Sequence, residues 1–397
     1  MKEYRLGDII TIKHGYAFDG EHIVQEDNGI VLVTPGNFRI GGGFQEEKCK
    51  FYSGEIPDGY VLSSGDFIVT MTDLSKTIDT LGYSALVPES DNRVYLHNQR
   101  IGLVSFKAND CFPGYIYFLM RTHPYQRFIA NTSTGSTVHH TSPSKIYDYR
   151  FYAPSYEEQR EIAERMFAYE KIIKNNQRQI KLLEETAQRL YKEWFVDLRF
   201  PGHENTKITD GVPEGWKIQT LSQISDVVMG QSPKSEFYNQ NGQGLPFHQG
   251  VGSYGTRFVV DKIYSTSFTR IAEAGSILFS VRAPVGRLNL TRNRVVIGRG
   301  LAAINHRLGK QSYLFYLLKE HFFKDDVIGN GAIFASISKD ELLAQQFTIP
   351  VSNLIEQFNV IVSDMDGRIA ELAEQVTLLI EARDRLLPKL MSGEIEL

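Results

Sequence analysis

Arginine, lysine, amide and hydroxyl side chains recur in loop-like stretches of this chain, where they could hydrogen-bond base edges or phosphate oxygens of a nucleic acid. In the second half the candidates are Gln231, Lys234, Arg257, Arg282, Arg287, Arg292, Arg294, Arg299, Ser336 and Lys339. In the first half they are Lys13, His14, Arg39, Lys76, Gln99, Arg100, Thr137, His139, His140 and Lys145. The five arginines at 282–299 fall within 18 residues, which favours at least one DNA contact among them. The alternative is that these side chains belong to ordinary solvated loops.

The patterns that would carry catalysis are missing from the sequence. It contains neither the Asp/Asn-Pro-Pro-Tyr/Phe loop that adenine methyltransferases require nor a Pro-Asp…Glu-x-Lys nuclease pattern. Residues 298–300 (GRG) lack the third glycine of a dinucleotide-binding loop. His139 and His140 would point to opposite faces of a strand without a third ligand nearby, so a metal site is not predicted. We expect no catalytic residue, metal or cofactor on this chain.

The composition is that of an ordinary globular protein of two or three domains. The 397 residues are 42% apolar and 23% charged. Cys49 and Cys111 lie far apart and form no Cys-x-x-Cys pair, which argues against a disulfide framework and fits a reducing compartment. The N-terminus has no apolar leader and the chain has no run of 18 apolar residues, so we expect a cytoplasmic protein.

The charge is distributed unevenly along the chain. The net charge of −4 divides into −3 for residues 1–153, 0 for 154–200, −2 for 201–215, +6 for 216–350 and −5 for 351–397. A basic module beside an acidic final segment is what a chain needs if one face contacts phosphates and another contacts protein. The acidic first module would need local clustering of its basic residues to bind DNA.

The chain repeats itself at a separation of about 196–198 residues. Residues 115–120 (YIYFLM) correspond to 313–318 (YLFYLL), and 135–154 correspond to 331–350. The polar run that leads to His139 and His140 has its counterpart before Ser336, which suggests one loop used twice. A duplicated globular module tends to present two similar surfaces about a pseudo-twofold axis, and duplex DNA is the first candidate for a partner of that symmetry.

Each module is followed by a segment with the heptad period of a coiled coil. Apolar steps of three and four residues run without a break from Ile162 to Trp194 and from Ile355 to Leu390. The predicted seam includes Ile173, Asn176, Ile180, Leu183, Leu190, Ile369, Leu372, Val376, Leu379 and Leu386. Asn176 and Arg383 place polar groups in the seams, where they could define the register or simply reach solvent.

These patterns predict an α+β protein with two duplicated mixed α/β domains separated by a long antiparallel two-helix coiled coil, pseudo-twofold symmetric. The predicted boundaries are 1–153 for the first recognition domain, 154–200 for the first helical region, 201–215 for a linker, 216–350 for the second recognition domain and 351–397 for the second helical region. Strands are expected from β-branched and aromatic runs such as 30–33, 101–106 and 276–281, and helices at 115–121 and 313–320. Gly65 and Gly275 correspond across the repeat and are expected in the turns that precede strands.

Three further features complete the pattern. They are residues 190–197 (LYKEWFVD) after the first coil, residues 386–394 (LLPKLMSGE) after the second, and a Pro…Glu-Gln start to both helices. With the duplicated module, they resemble the specificity subunit of type I restriction–modification enzymes over essentially the full length. The resemblance implies two target-recognition domains, each reading half of a split DNA site. It also implies helical regions that act as a spacer and dock two methyltransferase subunits, with restriction subunits joining later. S-adenosylmethionine would be bound by the methyltransferase subunits.

Two alternatives remain beside a non-catalytic DNA-specificity subunit. The first is a coiled-coil scaffold whose modules bind protein or RNA, which salt-insensitive and sequence-blind binding to duplex DNA would favour. The second is an enzyme that acts alone, which methyl transfer or cleavage by the isolated chain would establish.

Overall fold

The two halves of the chain fold into the same succession of sheets. The computed structural model describes residues 1–75, 77–107, 109–323 and 336–395. It divides into two compact units: unit 1 comprises Met1–Asn175 with Gln375–Leu397, and unit 2 comprises Asn176–Glu374. Each unit therefore combines one module with part of each long helix.

Unit 1 begins with strands β1 to β13, which are Lys2–Arg5, Ile10–His14, Ile23–Val24, Ile30–Val33, Lys50–Tyr52, Val61–Leu62, Phe67–Thr70, Thr72–Asp73, Ser84–Leu86, Val94–His97, Ile101–Phe106, His139–His140 and Arg150–Ala153. Its helices are α1 Leu6–Ile9, α2 Pro113–Leu119, α3 His123–Thr132, α4 Pro143–Tyr147 and the first part of α5 Tyr156–Tyr191. Proline stands in the first turn of α2, α3 and α4. It is favoured there because the backbone N–H that proline lacks has no intrahelical partner in a first turn.

Unit 2 contains strands β14 to β26, which are Ile208–Thr209, Val212–Pro213, Lys217–Thr220, Ser225–Met229, Tyr238–Asn239, Leu245–His248, Tyr264–Ser265, Ile271–Ala272, Ile277–Ser280, Leu288–Leu290, Val295–Ile297, Leu301–His306 and Gln346–Ile349. Its helices are α6 Leu221–Ile224, α7 Gln311–Phe323, α8 Lys339–Leu343 and much of α9 Ser352–Ser392. The strands and the two helices predicted from apolar runs are confirmed, with shifts of a few residues at their ends.

The sheets of the two modules have equivalent topologies. In unit 1 a five-stranded sheet has the order β3-β5-β4-β10-β6 and a four-stranded sheet the order β2-β11-β7-β9. Unit 2 has β18-β20-β19-β24-β21 and β17-β25-β22-β23. Each five-stranded sheet contains one parallel pair, β4 with β10 and β19 with β24. Gly65 and Gly275 both have φ +81° in the turns before β7 and β22, which confirms the role predicted for them.

The long helices pair antiparallel within each unit, as predicted. In unit 1, Ile162 and Met166 of α5 share a core with Leu390 of α9, and further along α5 Glu170 lies 3.7 Å from Arg383. In unit 2, Ile180 of α5 packs against Ile369 and Leu372, and the ring of Tyr191 lies 5.7 Å from that of Phe358. In both units, later residues of α5 meet earlier residues of α9.

The predicted seam is largely removed from solvent. Its buried members are Ile173, Asn176, Ile180, Ile369 and Leu372, and its half-buried members are Leu183, Leu190, Val376, Leu379 and Leu386. Asn176 is 5% exposed, so it does not simply reach solvent. Arg383 is held by ion pairs with Glu170 and Asp384.

The segment after α5 is folded into unit 2. A π-helical turn, Lys192–Val196, places Trp194 and Phe195 in a core with Tyr313 and Phe358. The residues that carry the family resemblance at 190–197 are therefore partly core residues. The predicted linker 201–215 contains the hairpin β14–β15, in which Ile208 pairs with Pro213. Among the described residues no helix is both long and apolar enough to cross a membrane.

A buried guanidinium attaches the first module to the long helices. The Arg121 side chain, 4% exposed, follows α2 and donates to Glu170 of α5 at 2.5 Å. Its guanidinium lies 5.0 Å from the ring centre of Tyr117, and its Nε donates to the Gly41 carbonyl at 2.7 Å. The charge is thus paired and hydrogen-bonded, which is what a buried charge requires.

Unit 2 makes the equivalent attachment with an arginine from another part of the module. Arg257, 4% exposed, donates to Asp366 of α9 and lies 3.7 Å from Glu184 of α5. Its guanidinium stacks 4.0 Å from the Phe315 ring centre. Burial raises the pKa of both Asp366 and Glu184, and the Arg257 charge opposes that rise. The prediction that Arg257 contacts DNA is therefore wrong, because its guanidinium is buried and forms ion pairs with two helix carboxylates.

Replacing Arg257 with Met should destabilise unit 2 by about 3–5 kcal/mol, because two half-buried carboxylates lose the guanidinium that pairs with them. Urea unfolding followed by tryptophan fluorescence measures this directly, since the chain's two tryptophans, Trp194 and Trp216, both lie in the core of unit 2. The matched control is Arg292→Met, which removes an exposed arginine over the Phe258 ring and should cost less than about 1 kcal/mol. Equal losses in the two variants would contradict the assignment.

Candidate nucleic-acid interface

Four backbone segments of unit 1 lie side by side at one end of its four-stranded sheet. We call them polar edge 1: residues 14–16, 71–73, 98–100 and 139–140. The Tyr16 amide donates to the His97 carbonyl at 2.8 Å, and the Met71 amide donates to the Arg100 carbonyl at 2.9 Å. Strand β12 then pairs with β8. Sequence segments far apart in the chain are thereby joined into one surface.

Unit 2 builds the same arrangement from the corresponding segments, which we call polar edge 2: residues 230–232, 281–282, 298–300 and 336–337. The Gln231 amide donates to the Ile297 carbonyl at 2.9 Å, and the Val281 amide donates to the Gly300 carbonyl at 2.9 Å. The Ile337 amide donates to the Val281 carbonyl at 2.9 Å, and Arg282 forms an isolated antiparallel β-bridge with Ser336. These backbone hydrogen bonds correspond to the bonds that join the equivalent segments in unit 1.

A glycine at each edge allows the segments to approach closely. A Cβ on Gly15 would lie 2.2 Å from the Asn98 carbonyl oxygen, and a Cβ on Gly230 would lie 2.2 Å from the Gly298 carbonyl oxygen. Because both obstacles are backbone atoms within bonded segments, neither can move aside freely. Glycine is therefore required at both positions to bring the segments together.

Polar edge 1 gathers several residues predicted as DNA contacts. His14, Gln99, Arg100 and His140 are exposed, and His139 is half-buried. The His140 Nδ1 lies 3.1 Å from the Thr72 hydroxyl. Beside the edge, the exposed Lys13 donates to the Gly59 carbonyl at 3.1 Å. These groups offer donors and acceptors suited to base edges and phosphates.

Two buried residues support polar edge 1. Burial lowers the pKa of His97, so its ring is neutral near pH 7 and its Nε2–H donates to the Ile101 carbonyl at 2.9 Å. Asp73 is 1% exposed and accepts from the amides of Ser75 and Thr80, both at 2.6 Å. Burial acts to raise the pKa of Asp73, but these hydrogen bonds outweigh it and lower the pKa. Sequence reasoning missed Asp73, although Asp two residues before Ser is typical of an Asx turn.

Polar edge 2 carries a stronger set of donors. Arg282 and Arg299 are exposed on it, as are Gln231 and Ser336. The exposed Arg287 is the last residue of the loop that begins at Arg282. Its backbone amide donates to the Ser280 hydroxyl at 2.8 Å. The exposed Lys234 follows the segment 230–232 by two residues. Edge 2 is therefore rich in guanidinium groups, in agreement with the basic charge of its module.

The arginine cluster predicted from the sequence is divided between opposite ends of the sheet. Strands β22 and β23 are antiparallel, with Ile277 opposite Leu290. Arg282, Arg287 and Arg299 thus lie at the end that forms polar edge 2, and Arg292 and Arg294 lie at the other end. Arg294 pairs with Glu273 at 3.1 Å. The interpretation of five arginines as one cluster is therefore wrong, because short strands place arginines that are close in sequence at opposite ends of the sheet.

The remaining predicted contacts lie elsewhere on their modules or outside the described residues. The Lys145 ammonium donates to the Thr132 carbonyl at the end of α3, so it serves the fold rather than a ligand. Arg39 is exposed on the loop that contacts Arg121. Thr137 is exposed before β12, and Lys339 is exposed at the first turn of α8. Lys76 lies outside the described residues. Among the described residues no group of three or more His, Cys, Asp or Glu could hold a metal ion.

Sequence reasoning also missed Tyr16, which is 42% exposed on polar edge 1. Its ring packs 5.2 Å from Phe18 and 5.3 Å from Tyr60. The edge therefore offers an apolar face beside its polar groups. An aromatic residue next to the Lys13-His14 pair was the available signal.

A repeated α/β module with an exposed polar edge in each copy, attached to antiparallel helices, defines a class of duplicated recognition proteins. The family model described as "Type I restriction modification DNA specificity domain" matches residues 1–185 and 213–382. The match covers well over half of the chain, so the chain belongs to this family and is a type I restriction–modification specificity subunit with two recognition domains.

Known relatives agree with this assignment. The chain is 28% identical over 345 residues to the protein assigned as the MjaX specificity subunit of Methanocaldococcus jannaschii, covering 85% of this chain and 80% of the relative. It is 26% identical over 297 residues to the MjaIX specificity subunit of the same organism, covering 71% and 68%. The crystal structure of the S subunit from M. genitalium has a TM-score of 0.62 at 15% identity, covering 98% and 96%, and shares the fold. The family predicted from the sequence is confirmed.

Replacing Gly230 with Ala should destabilise unit 2 by about 1–3 kcal/mol, because the new methyl group overpacks a backbone contact. Gly252→Ala is the control, since a Cβ there would meet nothing within 4 Å, and it should change stability by no more than about 1 kcal/mol. Tryptophan-monitored urea unfolding compares the two. A Gly230 variant as stable as the Gly252 variant would show that the close approach is not required.

Proposed function

We propose that this specificity subunit binds a bipartite duplex DNA target, with one half-site recognised by each polar edge. The observation that carries the proposal is the matched construction of the two edges, where equivalent backbone hydrogen bonds hold exposed amide, imidazole and guanidinium side chains. Rigid elements that present such donors are the means by which proteins read base edges. The edges differ in composition, so the two half-sites should differ in sequence.

The chain recognises its target without catalysing a reaction in this proposal. Two methyltransferase subunits, which would bind S-adenosylmethionine, modify the target, and restriction subunits cleave DNA. Support comes from the family and from the relatives, which are named as specificity subunits of type I restriction enzymes. The sequence also lacks the methyltransferase and nuclease patterns.

Partner subunits have a suitable docking surface on the helices of unit 1. Tyr169 and Ile172 of α5 line a groove with Leu386 and Leu390 of α9 and Ile395. Ile172 is 47% exposed. An apolar groove of this kind on a long helix pair is typical of a protein–protein contact, and we assign it to a methyltransferase subunit.

The paired helices act as the spacer between the two half-site readers. Once one module is bound, the other is held near its own half-site, so the second contact becomes intramolecular. Two weak half-site interactions are thereby converted into one tight interaction. The length of the helices would set the number of unread base pairs between the half-sites.

Binding should depend on both sequence and salt. In the complex with the methyltransferase subunits, Arg282→Ala should weaken binding to the target duplex by about 1–3 kcal/mol and relax one base position. Lys234→Ala is the comparison. Loss of a phosphate contact should weaken binding to all duplexes alike and lower the slope of log K against log salt by about one. Fluorescence anisotropy on target and scrambled duplexes measures both effects. Salt-insensitive, sequence-blind binding by the wild-type complex would instead favour a scaffold for protein or RNA.

Removing one heptad from each helix, residues 173–179 and 373–379, should shorten the gap between half-sites without altering the bases read. The deletion shortens each helix by about 10 Å and preserves the seam. Mapping of methylated adenines in cells that carry the complete system gives the recognised motif. A variant with one duplicated heptad per helix is the control and should lengthen the gap. An unchanged gap in both variants would disprove the spacer role.

A further inference from the structure

The two polar edges contain the same β-turn at the same place. In unit 1 the Ile101 amide donates to the Asn98 carbonyl at 2.9 Å, so Gln99 and Arg100 are the central residues of the turn. In unit 2 the Leu301 amide donates to the Gly298 carbonyl at 3.0 Å. Both turns precede an inner strand of a four-stranded sheet, β11 or β25.

The neighbouring backbone holds the two turns in the same way. The Gly15 amide donates to the Ile101 carbonyl at 3.3 Å, and the Gly230 amide donates to the Leu301 carbonyl at 2.9 Å. On the other side, Met71 and Val281 bond to the carbonyl of the second central residue, both at 2.9 Å. These matched contacts make Gln99 and Arg299 structurally equivalent, since each is the first central residue of its turn.

Only the first central position can carry a side chain in both turns. The second position is Arg100 in unit 1 and Gly300 in unit 2. A Cβ on Gly300 would lie 2.5 Å from the Gln249 carbonyl oxygen, so a side chain is excluded there. The chemistry of the two edges is therefore comparable at Gln99 and Arg299.

Both side chains are available to a ligand. Gln99 and Arg299 are exposed, and within the described part of the chain neither side chain has a hydrogen-bond or ion-pair partner. The supporting turn is nevertheless anchored by backbone bonds on two sides. The backbone amides of both residues are bonded as well: the Gln99 amide donates to the Tyr16 carbonyl at 2.9 Å, and the Arg299 amide donates to the Ser232 hydroxyl at 3.2 Å. A free polar side chain on an immobilised turn is suited to reading a base.

The two side chains prefer different bases. A glutamine amide can donate to and accept from N7 and N6 of adenine, whereas an arginine guanidinium donates to both O6 and N7 of guanine. Each such bidentate contact discriminates against the wrong base by roughly 5- to 150-fold. One geometrical position would thus read adenine in one half-site and guanine in the other.

We infer that Gln99 and Arg299 are paired specificity determinants, with Gln99 selecting an adenine in the half-site of unit 1 and Arg299 selecting a guanine in the half-site of unit 2. The inference rests on the proposed function, because it assumes that both polar edges contact DNA. In each module the identity of one side chain determines one base of the half-site.

Reciprocal substitutions test the inference in cells that carry the complete restriction–modification system. Gln99→Arg should replace an adenine by a guanine at one position of the first half-site and leave the second half-site unchanged. Arg299→Gln should lose or replace a guanine in the second half-site alone. Sequencing that detects methylated adenines gives the motif of each variant. Binding of the purified complex to duplexes that differ at that base should shift in preference by roughly 5- to 150-fold.

Arg292→Gln is the matched control, because it makes the same change at an exposed arginine at the opposite end of the unit 2 sheet, and it should retain the wild-type motif. A wild-type motif in the Gln99→Arg variant would overturn the inference, as would equal effects of Arg299→Gln and Arg292→Gln. If Arg299→Gln abolishes methylation, that variant gives no motif, and the motif of the Gln99→Arg variant then tests the inference. Absence of any bipartite motif in the wild-type system would refute the proposed function itself, which is a distinguishable result.

Discussion

The structure depends on burying a guanidinium group between a module and the long helices. Arg121 and Arg257 are each almost fully buried against an aromatic ring and a helix carboxylate, Glu170 or Asp366. A charge removed from water is tolerated only when it is paired and hydrogen-bonded, so each contact favours the arrangement of module and helix in which the guanidinium is paired. Apolar packing alone tolerates more variation in geometry. A recognition surface held in this way keeps a defined orientation on the helices of its own unit.

The same attachment is achieved from different sequence positions in the two repeats. Lys319 occupies the position that corresponds to Arg121, and burial lowers the pKa of its ammonium. Arg257, from a loop more than fifty residues earlier, provides the guanidinium instead. The duplicated fold has thus retained a physical requirement while changing the residue that meets it. The polar edges follow the opposite rule, because they retain the backbone and change the side chains.

Much of the fold could be predicted from local pattern. The heptad seams from Ile162 and Ile355 correctly indicated two long helices, because burial of one helical face imposes a period on the sequence. Antiparallel pairing followed from the whole module that separates them. The strands followed from β-branched runs, and Gly65 and Gly275 from the need for positive φ in a turn. Part of the candidate site was also predictable, since His14, Gln99, Arg100, His140, Gln231, Arg282 and Arg299 do lie on the polar edges.

Sequence by itself determined the duplication, the helical periods, the family and the absence of catalytic patterns, because these are properties of residue order and type. Only the tertiary structure decided which charged residues are free. Arg257 is as basic in sequence as Arg299, yet one is 4% exposed between two carboxylates and the other is exposed on a turn. Arg292 and Arg294 are close to Arg299 in the chain but lie at the other end of the sheet. The reason is that exposure and ion pairing are set by contacts between residues distant in sequence, which no local pattern encodes.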